Sequence, residues 1–133
     1  MEESTSVIAR DLRLNLKRML EDGALDAEDR YLALLATSVA AQHTDLAEHA
    51  RRELAARGVK PEEIQEAAES AAVMAMLNTY YRFRHMLESD EEYRVAGLRM
   101  MVFAKPLLGK KRFEELAFAV SVVNGCESCI RIH

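Results

Sequence analysis

Cysteine and proline are both scarce: the chain has two of each in 133 residues. With so little proline and abundant Leu, Ala, Glu, Arg and Met, the composition favours helix over strand. No apolar run approaches the roughly 20 residues that a membrane-spanning helix needs, so a membrane role is not expected. The opening MEESTSVIAR has neither the basic start nor the apolar core of a secretion signal, which makes a cytoplasmic location the default expectation. A Gly-rich phosphate loop is also missing. The formal net charge is −4 with both signs interspersed, which argues against a phosphate-binding surface and against nucleic acid as a partner.

What is present is half hydrophobic, enough for one ordinary core in a single domain of this length. Ile8, Leu12, Leu16, Met19 and Leu20 trace an apolar face at three- and four-residue steps, predicting a first helix over roughly 6–20 that Gly23 ends. Asp26 and Asp29 read as an acidic cap and first turn of an interior helix over 27–42. Thr44 or Asp45 opens a third helix through Leu54, ended by Gly58, and Pro61 with Glu62 and Glu63 starts a fourth, reaching as far as Met86. Its AAVMAM run is small and soft enough for close helix packing. Tyr80, Tyr81 and Phe83 are expected in a core or a subunit interface. His43, His49 and His85 are scattered and read as structural or solvent-facing. A shorter helix is expected from Asp90 to Met101, with Asp90, Glu91 and Glu92 as its acidic start, and Pro106 interrupts any helix beyond it.

The last segment is the most informative. Phe113, Leu116, Ala117, Val120 and Val123 recur at helical spacing, Asn124-Gly125 supplies a C-cap, and a further helix begins at Cys126 and carries Cys129, Ile130 and His133. A disulfide staple normally closes a longer loop, and a reducing compartment disfavours permanent disulfides. A CxxC pair is better explained by reversible redox chemistry or metal binding, and two cysteines with one histidine fall short of the four ligands of structural zinc. At a helix start, the unpaired N–H groups and the helix dipole stabilise a thiolate. One thiol can attack a substrate while the other resolves the mixed disulfide or sulfenic acid. His133, four residues after Cys129, shares its helical face and can shuttle a proton or stand at a frayed end. Glu114 lies on the preceding helix, where a buried carboxylate could accept a thiol proton. Taken alone, Glu114 and Glu115 each also fit a solvated face, and periodicity does not choose between them. Gln42, Asp45 and His49 repeat the spacing of Cys126, Cys129 and His133, which suggests a duplicated helical hairpin with chemistry in one copy.

The stretch FEELAFAVSVVNGCESCIRIH, residues 113–133, resembles the active-site region of the alkyl hydroperoxidase component D (AhpD) family, part of the carboxymuconolactone decarboxylase-like superfamily. The family pattern is a glutamate twelve residues before the first cysteine, CxxC, and a histidine four residues after the second, matched here by Glu114, Cys126, Cys129 and His133. LRLNLKRML, LALLATSVAAQ, AAVMAMLNTYYRFRHML and LRMMVFAKP are similar to the family as well. The resemblance implies an all-α, compact helical fold with CxxC at a helix N-terminus, assembled as a homotrimer. Residues 1–133 would form a single AhpD-like helical domain lacking the C-terminal helices of the full family domain. The implied activity is disulfide reduction in support of a peroxiredoxin (alkyl hydroperoxide reductase component C), with weak reduction of alkyl hydroperoxides. Electrons would come from a dihydrolipoyl-domain protein or other dithiol, with no cofactor or metal bound. Family roles put the sulfenic acid on Cys129, with Cys126 as proton donor and disulfide partner, and Glu114 and His133 as the relay. Helix-end reasoning gives the nucleophile role to Cys126 instead. Some family members carry a histidine immediately before the second cysteine; here Ser128 stands there and cannot titrate near neutral pH.

Two other functions fit less of the sequence. Carboxymuconolactone decarboxylase-like chemistry on a lactone gives the CxxC no task. A non-enzymatic helical redox sensor or adaptor would use the pair without catalytic flux.

Overall fold

The computed structural model describes residues 6–87 and 91–133. Among the described residues the regular structure is entirely helical: α1 (Val7–Asp22), α2 (Ala27–Ala40), α3 (Thr44–Ala56), α4 (Pro61–Met86), α5 (Met101–Ala104), α6 (Lys110–Asn124) and α7 (Glu127–Ile132). The all-α expectation holds.

The helix starts follow from local chemistry. The Asp26 carboxylate accepts the Asp29 N–H at 2.9 Å, giving one of the first-turn donors of α2 a partner. Pro61 occupies the first turn of α4, where its missing N–H costs nothing, and Glu63 reaches back to the Lys60 N–H at 3.3 Å. His43 is the cap of α3, its Nδ1 accepting the Leu46 N–H at 3.4 Å.

α2 packs against α3, α4 and α6, and α4 packs along α6. The buried side chains are Leu32 and Leu35 from α2, Leu54 from α3, Met74 from α4, and Phe113 and Val120 from α6. Ala36, Ala47, Ala50, Ala67, Ala71 and Ala117 separate them, and these small residues let the helices approach closely. Each fully buried leucine contributes on the order of 1.5–3 kcal/mol relative to exposure. Two polar ties set how α6 is placed. Arg112 bonds Glu28 at 2.5 Å and Asp29 at 2.6 Å, fixing the start of α6 to the start of α2. Glu66 of α4 accepts the Leu107 and Leu108 N–H groups at 2.9 and 2.8 Å, securing the loop after Pro106.

The structure qualifies four readings of the sequence. The helix expected from Asp90 to Met101 is not formed over residues 91–100; Asp90 itself lies outside the described residues. Glu91 and Glu92 sit in a turn, Gly97 takes a left-handed φ of 63°, and this stretch buries none of its side chains, so little offsets the entropy of helix formation. The apolar face of α1 is mostly exposed, since among the described helices α1 packs against α2 alone and Ile8, Leu12 and Met19 remain at the surface. Val123, which shares the helical spacing of Phe113, Leu116, Ala117 and Val120, is also exposed. Tyr80, Tyr81 and Phe83 are not core residues of the chain. The Tyr80 hydroxyl donates to the Tyr93 carbonyl and Phe83 meets Tyr93 edge-on, so the aromatic end of α4 holds the 91–94 turn.

The hairpin echo is present in the backbone, one residue out of the expected register. At the end of α2, Gln42 takes a φ of 57° and the His43 N–H bonds the Ser38 carbonyl at 2.8 Å. After α6, Gly125 takes a φ of 66° and the Cys126 N–H bonds the Ser121 carbonyl at 3.1 Å. The left-handed residue sets the register, so His43 corresponds to Cys126. Gln42, Asp45 and His49 therefore do not superimpose on Cys126, Cys129 and His133.

Candidate active site

Cys126 stands at the N-cap of α7 and Cys129 one turn into it. The two form a disulfide with their Cα atoms 5.3 Å apart, within the ordinary range for such a bridge. The left-handed Gly125 is what allows α6 to stop and α7 to start within two residues. Both cysteines are buried, at 1% and 3% exposure, so the pair lies beneath the surface of the hairpin and not on it.

His133 follows one turn later, its N–H donating to the Cys129 carbonyl at 3.1 Å. The ring turns back across the hairpin to α6, where its Nδ1 lies 2.6 Å from Glu114 Oε2. The ring also stacks on Phe103 of α5, with centroids 6.0 Å apart and planes 15° from parallel, and Phe103 in turn meets the buried Phe113 edge-on at 5.2 Å. His133 is thus held on two sides and is not a frayed terminal residue. The structure also separates the two glutamates: Glu114 bonds His133, whereas Glu115 lies 3.7 Å from Lys111 one turn away.

Glu114 and His133 help line a cavity of about 550 Å³ between α2 and α6, together with Leu25, Leu32, Leu116 and Phe118. Its polar side is built by Arg112 and Asp29. Burial pushes the Asp29 carboxyl above its ordinary value, although the neighbouring Arg112 pulls the other way. Burial also works against the Arg112 charge, but Asp29 and Glu28 together keep its pKa above the ordinary arginine value. Ser128, between the cysteines, faces a separate, more polar cavity of about 320 Å³ with Tyr81, Arg84 and His85. Among the described residues, no three His, Cys, Asp or Glu side chains converge as a metal-binding group.

The four site residues named from the sequence are therefore brought together as two pairs, Cys126–Cys129 and Glu114–His133. The sequence reading missed the polar cluster beneath the turn. Asn78 of α4 is fully buried and bonds Ser121 and Asn124 of α6. A signal was available, since Ala71, Met74 and Asn78 form one buried stripe of α4 and an asparagine there needs partners.

This arrangement, a helix–turn–helix carrying a disulfide at the second helix start, defines the class to which the comparisons point. The family model of the carboxymuconolactone decarboxylase family matches residues 9–88, more than half of the chain and the portion that holds the first hairpin. The chain is also similar to the alkyl hydroperoxide reductase AhpD of Anaeromyxobacter dehalogenans (strain 2CP-1), at 44% identity over 94% of this chain and 67% of that protein. The AhpD of Rhodopseudomonas palustris (strain BisA53) is 38% identical over 100% of this chain and 74% of its own length. The AhpD of Streptomyces coelicolor is 41% identical over 94% of this chain and 70% of its own. The chain belongs to the carboxymuconolactone decarboxylase family, within its AhpD group.

Proposed function

We propose that the chain is a thiol–disulfide oxidoreductase of the alkyl hydroperoxide reductase system, working through Cys126 and Cys129 with Glu114 and His133 as its proton relay. The observation that carries this is that both pairs form on one hairpin. The CxxC disulfide sits at a helix start, and the histidine one turn after its second cysteine is hydrogen-bonded to a glutamate from the preceding helix.

In the reduced state one thiol is deprotonated through the relay. Glu114 fixes the ring through Nδ1, leaving Nε2 as the nitrogen that exchanges the proton. The thiolate attacks the terminal oxygen of a hydroperoxide; the O–O bond breaks, giving a sulfenic acid and an alcohol. The second thiol displaces water from the sulfenic sulfur, forming the Cys126–Cys129 disulfide. With a disulfide partner, the thiolate instead forms a mixed disulfide that the second thiol resolves, releasing the partner as a dithiol. Cys129 lies nearer in sequence to His133 and Cys126 sits at the helix cap; either order ends in the same bridge. A dihydrolipoyl-domain protein restores the pair by two successive exchanges and leaves as the cyclic disulfide. Neither a bound cofactor nor a metal has a step in this cycle. Apolar room beside Glu114 and His133 suits an alkyl group.

The partners follow from the same reading: alkyl hydroperoxides, a peroxiredoxin of the component C type and a lipoyl-type dithiol, in a cytoplasmic setting. Among the described residues no helix is long and apolar enough to cross a membrane. A homotrimer would give the exposed apolar residues of α1 (Val7, Ile8, Leu12 and Met19) a surface to cover. The test is electron flow from dihydrolipoamide to an alkyl hydroperoxide through this protein and the peroxiredoxin. Turnover is expected with the wild type and not with Cys126→Ser or Cys129→Ser. Equal turnover in either variant overturns the proposal.

A further inference from the structure

Asn78 is 0% exposed, an unusual burial for a primary amide, and its side chain faces the last turn of α6. Its Nδ2–H donates to Ser121 Oγ at 3.0 Å, and its Oδ1 accepts from Asn124 Nδ2 at 2.9 Å. Ser121 is equally buried, and its carbonyl accepts the Cys126 N–H at 3.1 Å. One turn further along α4, Arg82 donates to the Asn124 carbonyl at 2.8 Å. Helix α4 therefore grips residues 121 and 124 in the last turn of α6, just before Gly125 and the first cysteine.

A leucine would fill the Asn78 site with a similar volume and no desolvation cost. Burying a primary amide is tolerable only because its groups are bonded, and an unmet one costs about 1–3 kcal/mol. Buried asparagines have a known use in fixing register at some cost in stability. The element fixed here is the turn that presents Cys126 to Cys129.

We infer that Asn78 is a positioning residue for the redox pair: acting through Ser121 and Asn124, it holds the Cys126 turn so that the two sulfurs stay within bonding reach. The inference rests on the redox reading of the pair and adds a residue to it. Disulfide closure within a hairpin depends on how often the two sulfurs meet, so a held turn raises their effective concentration and favours the oxidised form. Releasing the turn makes the pair easier to reduce.

The experiment is equilibration of the full chain with glutathione buffers. The pair's two thiols and one glutathione disulfide exchange for the pair's disulfide and two glutathione thiols, followed by thiol trapping. Wild type, Asn78→Ala, Ser121→Ala and Ser70→Ala are compared. Ser70 is a buried α4 serine whose hydroxyl bonds the Ala67 carbonyl at 2.7 Å, so its loss controls for a general loss of stability. Asn78→Ala is expected to lower the equilibrium constant for disulfide formation about tenfold, a rise of roughly 30 mV for a two-electron couple. Ser121→Ala should shift it about threefold in the same direction, and Ser70→Ala by less than twofold. If Asn78→Ala does not fold, the Ser121→Ala shift decides. Values for Asn78→Ala and Ser121→Ala within twofold of wild type, or a Ser70→Ala shift as large as theirs, overturn the inference. A wild-type pair that does not exchange with glutathione at all removes the redox reading and this inference with it, an outcome distinct from unchanged variants.

Discussion

The hairpin of α2 and α3 and the hairpin of α6 and α7 make the same turn with different side chains. In both, a left-handed residue ends the first helix, and the next N–H bonds a serine carbonyl five residues back. Both serines, Ser38 and Ser121, are buried. At the cap the first hairpin has His43 and the second Cys126; three residues on, Leu46 and Cys129; seven on, the buried Ala50 and His133. Twelve residues before the cap stand Tyr31 and Glu114. Tyr31 meets His49 edge-on and lies beneath the Arg57 guanidinium, 4.4 Å from its ring centre, so its role is packing. Glu114 bonds His133. The turn is a shared scaffold, and the side chains at four matched positions are what differ between the two hairpins.

The strongest way to break this comparison is to move the cysteines. His43→Cys with Leu46→Cys, placed in a Cys126→Ser/Cys129→Ser background, is expected to form a disulfide by thiol trapping. Peroxide turnover should not return, staying about two orders of magnitude or more below wild type, since Tyr31 and Ala50 stand where the relay's Glu114 and His133 stand in the second hairpin. Recovery of turnover would mean that the turn and the cysteines suffice.

Next in size is the relay itself. Glu114→Gln should lower peroxide turnover about 100-fold, on the scale of positioned acid–base catalysis, while the disulfide still forms with a strong oxidant. Glu115→Gln, which removes the ion pair to Lys111 and leaves the Glu114–His133 bond in place, should stay within about twofold of wild type by the same assay.

The two left-handed positions give a smaller and opposite pair of effects. A Cβ at Gly125 meets nothing within 4 Å, so Gly125→Ala costs only the backbone strain, about 1–2 kcal/mol by urea unfolding. Gln42→Gly removes that strain from the first hairpin and should stabilise by less than about 1 kcal/mol, because glycine's freedom in the unfolded chain offsets part of the gain.

The smallest effect lies at the start of the first hairpin. The hydrogen bond from the Asp29 backbone holds the Asp26 carboxyl below its ordinary value of 3.8. A depressed carboxylate stabilises the fold above the unfolded value and loses that contribution as pH falls through the folded one. Asp26→Ala should therefore lower the Tm modestly near neutral pH, and the difference from wild type should close as pH falls below about 3.8.

Most of the fold was legible in the sequence because its signals are local. Pro61 marked a helix start and Gly125 a helix end, and the apolar spacing of Phe113, Leu116, Ala117 and Val120 placed α6. The stretch 91–100 misled because its acidic start looks like a cap, while the decision rested on tertiary burial that it does not obtain. The hairpin echo was visible, but spacing alone matched side chains and missed that Gln42 occupies the glycine position. At the site, CxxC was plain. Glu114 could not be told from Glu115 by periodicity; the family spacing pointed to Glu114, and the folding of His133 back onto α6 gives it a partner that Glu115 lacks. The Phe103 stack and the Asn78 cluster were hidden for the same reason, as both join elements far apart in the chain.

The central claim, that the second hairpin is a dithiol centre driven by its glutamate and histidine, is tested most directly by mixing reduced protein with an alkyl hydroperoxide and counting remaining thiols over time. The account predicts loss of both thiols for each hydroperoxide consumed, with a Cys126–Cys129 bridge as product and a rate that falls sharply in Glu114→Gln. Thiols that survive excess hydroperoxide in the folded wild type, or a Glu114→Gln rate equal to it, would contradict the account.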